Sequence, residues 1–336
     1  MEEMSRVKRK HNASAAKQRP TKTPPKKAPQ QKKKKKFRLR RIFWLLMFIM
    51  VLIGGYSYYQ YQKGIDLATA DKELSEEDIA FMGDSVSSKT ENFLLIGVDS
   101  RGEAQSRSDS MMVLSWDKEH NTLRTISFMR DIYADIPGYE RQKLNAAYYH
   151  GGVQLLKETL NDMFDLPIHH YAMIDFVSFE KMIDIIAPDG VTIDVEKDMY
   201  EKIYVQLYEG VHDLNGQELL GYARFRADAE GDFGRVRRQQ QVISALKEQL
   251  LSTTTLMQAP KLIGAMQGYI NTDVDTAGQI AYLAKLLSGG ALEVEGMTVP
   301  VQGTYSDYRD YKYGLVLDID VEQNTQAIHD FIGTSD

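Results

Sequence analysis

The sequence predicts an α/β fold: a three-layer α/β/α domain with a central mixed sheet, preceded by one transmembrane helix and a disordered basic tail. Three observations predict it. From about residue 91 onward, short apolar runs alternate with helical patterns. An unbroken apolar stretch lies near the N-terminus. Charge also divides the chain, because 17 of its 41 Lys and Arg fall within residues 1–41, against two acids, Glu2 and Glu3. The net charge of −6 therefore hides a basic tail joined to an acidic body, as in a chain that works in two environments.

Residues 1–41 are rich in Lys, Pro, Gln and Ser and are expected to form a disordered cytoplasmic tail, since they hold too little apolar surface to fold. The run Lys32 to Lys36, with Arg38, Arg40 and Arg41, abuts an apolar stretch from Ile42 to Tyr59. As a helix that stretch rises about 27 Å, roughly the hydrocarbon thickness of a bilayer. Trp44 lies at its inner edge, and Tyr56, Tyr58, Tyr59 and Tyr61 at its outer edge, as interfacial aromatics do. A transmembrane helix over 42–61 follows, and the basic flank places the N-terminus in the cytoplasm. This is a single-pass type II arrangement in the cell membrane, with everything beyond residue 62 outside. A cleaved signal peptide would need a shorter basic region and a small-residue cleavage site. The lysine run also suits nucleic acid, but its place beside the span favours the headgroups of the cytoplasmic membrane lipids, and no nucleic-acid partner is expected.

Residues 62–90, polar and acidic, are expected to be an extracellular stalk, with 91–336 the extracellular domain. Phe93 to Val98 reads as a buried strand ending at Asp99. Met111 to Trp116 and Thr122 to Met129 read as a hairpin around a turn at 117–121. Gly151 and Gly152 precede a helical pattern from Val153 to Phe164. A strand is expected over His170 to Asp175, a helix over Ser178 to Ile186, and a strand over Val191 to Val195 after the Pro188-Asp189-Gly190 turn. Asn215 is a helix N-cap. Helices follow over Arg235 to Leu251, Met257 to Tyr269 and Ala277 to Leu287. A strand over Glu293 to Pro300 and a helix over Gln323 to Ile332 close the chain.

There is no cysteine, which excludes disulfides, cysteine-ligated zinc and thiol nucleophiles. No Ser-His-Asp, HExxH, GxGxxG or P-loop pattern is present. Chemistry concentrates instead in three arginine–aspartate clusters. The first is Asp99 and Arg101 with Arg107 and Asp109, both segments flanking strands. Two carboxylates beside two guanidiniums suit a divalent cation with phosphate, and suit two surface ion pairs equally well. The second is Arg130-Asp131, followed by Lys143 and Asn145, with the hairpin bringing Arg130 towards Asp109. The third is Arg224, Arg226, Asp228, Asp232, Arg235, Arg237, Arg238 and Gln239. In extended backbone Arg224 and Arg226 would share a side. Arg235, Arg238, Val242 and Leu246 share one helix face, so two arginines point inward at a helix N-terminus that is already positive. A bound anion resolves that conflict; internal pairing with Asp228 and Asp232 resolves part of it.

The segments NFLLIGVDSR, SRSDSMM, ISFMRDIYADIPG, QKLNAAY and LLGYARFRADAEGDFGRVRRQQQV resemble the LytR–CpsA–Psr family of Gram-positive bacteria. The resemblance implies an enzyme that moves an anionic glycopolymer, of teichoic acid or capsule type, from an undecaprenyl-pyrophosphate carrier to peptidoglycan N-acetylmuramic acid by phosphodiester formation. It implies Mg2+ or Mn2+ held by Asp99 and Asp109. Arg107, Arg130, Arg224 and Arg226 would grip the diphosphate, with Arg101, Lys143, Arg235, Arg238 and Gln239 in support. Asp99, Asp131 or Asp232 would accept the hydroxyl proton. The same site with water as acceptor would hydrolyse a lipid pyrophosphate. Members named regulators or attenuators supply a third reading, a membrane regulator of envelope stress.

Overall fold

The computed structural model describes residues 34–70, 80–86, 89–99, 108–250, 252–288 and 294–333. The expected disordered tail lies outside them up to residue 33. The chain runs through α1 (Lys34–Ala70), β1 (Thr90–Val98), β2 (Ser108–Asp117), β3 (Thr122–Phe128), β4 (Tyr133–Ala134), β5 (Gln142–Lys143), α2 (Asn145–Phe164), β6 (His170–Asp175), α3 (Phe176–Ile186) and β7 (Val191–Val195). It continues through β8 (Gly210–Leu214), α4 (Gly216–Arg224), α5 (Gly231–Leu250), α6 (Thr253–Tyr269), β9 (Asn271–Thr272), α7 (Thr276–Ser288), β10 (Val294–Val299), β11 (Tyr305–Asp310), β12 (Gly314–Ile319) and α8 (Val321–Ile332).

The chain divides after Leu52 into two units. The first ends in the apolar part of α1, and Leu39–Thr69 is long and apolar enough to cross a membrane. Helix α1 starts ahead of residue 42 and does not stop at residue 61. In the second unit its last turns are not a free stalk. A Cβ on Gly64 would lie 2.1 Å from the Lys261 carbonyl oxygen, and one on Gly264 would lie 2.1 Å from that of Tyr61. Only glycine permits backbones this close. Tyr269 donates its hydroxyl to the Leu67 carbonyl, and Ala68 is fully buried against Leu262 and Ala265.

The central sheet is mixed, as expected, with strand order β10-β3-β2-β1-β6-β9. Strands β1, β2 and β3 form an antiparallel meander, β6 and β10 add parallel at either side, and β9 is an antiparallel edge. Alternation along the strands divides the core. Leu94, Ile96, Val98, Val113 and Ile126 face α2 and α8, where Leu156, Leu160, Ile328 and Ile332 cover them. Leu95, Gly97, Met112, Ala172 and Ile174 face the other way, under α3, α4 and α5, and there the packing is open. A second core holds α3, α4, β7 and the 199–207 loop around Ile183, Leu219 and Tyr222.

Local signals placed most elements. Asn215 caps α4 with a full capping box through Glu218. The expected helix start at Val153 differs, since α2 begins at Asn145 and bends at Gly151 and Gly152. Gly152 has φ +62° and ψ −151°, a backbone that only glycine adopts without strain.

Candidate functional site

The site forms at the end of β1 where three strand ends meet. Gly97 pairs with Ser110 and Val98 with Ser108, so Asp109 is the extra residue of a bulge at the start of β2. Asp99 follows β1 directly, which brings both carboxylates to one end of the same ladder. Pairing of Met111 with Phe128 brings the end of β3 alongside. Arg130 Nη1 therefore lies 3.2 Å from Asp109 Oδ1. Asp131 steadies the arrangement, with Oδ1 2.7 Å from Lys143 Nζ and Oδ2 3.7 Å from Arg130 Nε.

Helices α4 and α5 bring the opposite wall. Arg224 is the last residue of α4, not part of an extended strand. Its guanidinium carbon sits 4.3 Å over the Phe176 ring, and Nη2 is 3.7 Å from Asp99 Oδ2. Phe225, the extended C-cap, turns inward to the second core, and Arg224 and Arg226 both line the cavity. Arg235, on α5, is 5% exposed and bonds Asp232 at 2.9 Å, while its buried Nε has no hydrogen-bond partner. Burial holds the Arg235 guanidinium below its ordinary pKa. Asp232 opposes this, Arg130 lowers it further, Asp109 opposes, and Arg226 lowers it again. Charges from all three clusters thus act on one buried cation.

Asp109, Arg224, Arg226 and Arg235 border a cavity of about 310 Å³ between the sheet and α3, α4 and α5. Asp109, Ser110, Asp175, Lys202, Arg224, Arg226, Arg235 and Gln239 form its polar part. Gln239 Oε1 accepts from the Ser110 hydroxyl at 3.1 Å, tying α5 to β2. Met112, Phe176, Phe179, Leu220, Val242, Ile243, Leu246 and Ile270 form an apolar remainder. One compartment thus offers cations and apolar walls together, suited to an anionic head on an apolar tail.

Not every expected residue joins it. Arg238, on the same helix face as Arg235, is fully buried and turned into the protein. Its Nε donates to Glu196 at 2.8 Å, Nη1 donates to the Phe225 carbonyl at 3.1 Å, and Nη2 is bonded to Asp228. Three internal acceptors satisfy it, so the expectation that it supports a ligand is corrected. Lys143 and Asp131 bind each other behind Arg130 and do not line the cavity. Arg101 and Arg107 lie outside the described residues. Sequence reasoning missed Phe179 and Lys202 as lining residues; Phe179 has an ordinary core spacing, and Lys202 belongs to no cluster.

Among the described residues no group of three or more His, Asp or Glu converges as a metal cage. Asp99 and Asp109 supply two hard oxygen donors from one ladder end. That fits a cation completing its shell with phosphate oxygens and water, as magnesium does, and does not fit a cation needing an all-protein cage.

The LytR_cpsA_psr family model matches residues 55–328. Regulatory protein MsrR of Staphylococcus aureus (strain COL) is 42% identical, covering 82% of this chain and 84% of that protein. The DIYADIPG and GDFGRVRRQQQV segments resemble that staphylococcal member. Polyisoprenyl-teichoic acid–peptidoglycan teichoic acid transferase TagU of Bacillus cereus (strain AH820) is 30% identical over 78% of this chain and 88% of that protein. Among solved structures, TagV of B. subtilis superposes with TM-score 0.63 at 25% identity, covering 75% of this chain and all of that one. The LytR-CPS2A-psr family protein YwtF (TagT) with bound octaprenyl pyrophosphate lipid shares the fold, with TM-score 0.56 at 22% identity over 78% and 95% of the two chains.

Proposed function

Because the chain belongs to the LytR_cpsA_psr family, we propose that it transfers an anionic glycopolymer from an undecaprenyl-pyrophosphate carrier to peptidoglycan. The observation that carries this reading is the cavity, in which Arg224, Arg226 and Arg235 meet an apolar interior. TagU is named for transfer from a polyisoprenyl carrier, and the TagT structure holds a polyprenyl pyrophosphate, which supports the same division of labour here.

In this reading the diphosphate sits among Arg224, Arg226 and Arg235, with Arg130 held at the edge by Asp109 and Asp131. Guanidinium forks at the cavity neutralise charge that grows during phosphoryl transfer. The prenyl tail lies along Phe179, Leu220 and Val242. A muramic acid hydroxyl attacks the phosphorus that bears the polymer. A new O–P bond forms, the bridging P–O bond breaks, and polyprenyl phosphate leaves. The hydroxyl proton passes to Asp99 or Asp232; Asp131, expected as a third candidate, is taken up by Lys143 behind Arg130 and is not placed to receive it. Mg2+ or Mn2+, held by Asp99 and Asp109, would supply further charge neutralisation on the diphosphate. The basic flank of α1 supports a cytoplasmic N-terminus and an extracellular domain. Regulatory effects of the kind the relative's name suggests would then follow indirectly from altered wall polymer.

The test is transfer from a lipid-linked polymer to peptidoglycan by the full chain. Replacing both Arg224 and Arg226 with Ala should abolish product while the protein still melts cooperatively. Near-normal transfer would refute the assignment. Release of polyprenyl phosphate and free polymer phosphate at full rate without peptidoglycan would show a lipid-pyrophosphate hydrolase instead.

A further inference from the structure

The cavity has one lining cation that the diphosphate does not require. Lys202 lines it and is also exposed, so it stands where the cavity opens to solvent. Among the described residues no acid forms an ion pair with it. The loop that carries it is closed at its base by a two-way backbone bridge, Met199 to Leu207, at 2.8 Å each way.

Within that bridge both Lys202 (φ +63°) and Tyr204 (φ +60°) take the left-handed conformation. Neither side chain favours it, and a bulky residue there is a true outlier. The conformation exposes Lys202 and Tyr204 on either side of Ile203, which is 4% exposed and fixed in the second core. Helix α4 accommodates this through Gly221, where a Cβ would lie 2.3 Å from Val205 Cγ2. Gly221 precedes Arg224 by one turn, and its close approach to Val205 and Ile203 seats the loop on the helix whose last residue, Arg224, lines the same cavity as Lys202. Strained residues held by their surroundings mark functional loops. A lysine is a compact point charge suited to one phosphate oxygen rather than a forked diphosphate grip.

We propose that Lys202 forms an outer anion subsite, receiving a phosphate of the donor polymer that lies beyond the diphosphate. This rests on the transferase reading and makes the loop a determinant of polymer choice.

The full chain in phospholipid nanodiscs, with headgroups identical in every arm, tests it. Two probes are compared: octaprenyl pyrophosphate, and the same lipid diphosphate extended by a disaccharide and glycerol phosphate units. Lys202→Asn is the variant of choice, because asparagine tolerates the left-handed backbone; Lys202→Arg keeps the charge. Lys202→Asn should weaken the extended probe at least fivefold more than octaprenyl pyrophosphate and reduce its salt dependence, and Lys202→Arg should restore most of the difference. Equal weakening of both probes would overturn the proposal by placing Lys202 in the diphosphate grip. Weakening of neither would overturn it by leaving a surface lysine. If the wild-type chain bound neither probe, the transferase reading itself would fall, and the subsite with it.

Discussion

Arg235 and Arg238 are one turn apart on the same buried face, yet they do different work. Arg235 keeps an unpartnered Nε at the cavity, whereas Arg238 is spent on Glu196, Asp228 and the Phe225 carbonyl. The spacing on α5 foretold the burial of both. It did not foretell the difference, because Glu196 reaches Arg238 only through the β7 end, some forty residues away in sequence. Arg238→Ala should therefore destabilise the domain by about 3–5 kcal/mol, the usual result of stranding buried acids, read from urea melts. The pH dependence carries the same signature. Burial alone would raise the Asp228 pKa, but its Lys197 and Arg238 bonds outweigh that and leave it below 3.8. Burial likewise opposes Arg237 and Arg238 at Glu196, whose pKa ends below 4.5. Depressed acids stabilise the fold fully above their unfolded values and lose that contribution as pH falls through the folded ones. Wild-type stability should thus drop steeply below about pH 4, and Arg238→Ala should flatten that limb. An unchanged acid limb would rule out these pairs as its source.

Helices and strands with clear periodicity were legible, down to the Asn215 cap and the β2–β3 hairpin. The β11–β12 hairpin was not, since five of the six residues of β11 are exposed or half-exposed and so no alternation marks it. The docking of the C-terminal turns of α1 was not legible for another reason. Residues 62–70 are polar enough to suggest a stalk, and what holds them is a seam of Gly64 and Ala68 against Gly264, Ala265 and Gly268, which carries no hydrophobic signal. That seam makes its own prediction. A Cβ at Gly264 meets the Tyr61 carbonyl oxygen at 2.1 Å, so Gly264→Ala must separate the two helices. The expected cost is about 1–3 kcal/mol, as for other overpacked contacts. Amide exchange over 61–70 should accelerate, while the sheet strands keep their protection. If both regions exchanged at wild-type rates, the two helices would not depend on that contact.

At the scale of the molecule, the sheet supports a dense core on one face and an open compartment on the other. The arginine clusters announced the charged end of that compartment. Its apolar end could not be distinguished in the sequence, because Leu95, Met112, Ala172 and Val242 look the same whether they pack against protein or line a space. The asymmetry separates stability from ligand binding. On the α2 side every added atom would overpack; on the α5 side it would fill a void. Ala172 lies on β6, between β1 and the edge strand β9, and faces the cavity three residues before the strand end at Asp175. Ala172→Phe should therefore leave the melting temperature unchanged or slightly raised, since it buries new apolar surface in existing space. Inorganic pyrophosphate needs only the arginines and should bind the variant as it binds wild type. Octaprenyl pyrophosphate needs the apolar space as well and should bind at least tenfold more weakly, by calorimetry in matched detergent. A variant that lost both ligands equally would show that the two ends are not separable. One that kept both would show that the prenyl chain lies elsewhere.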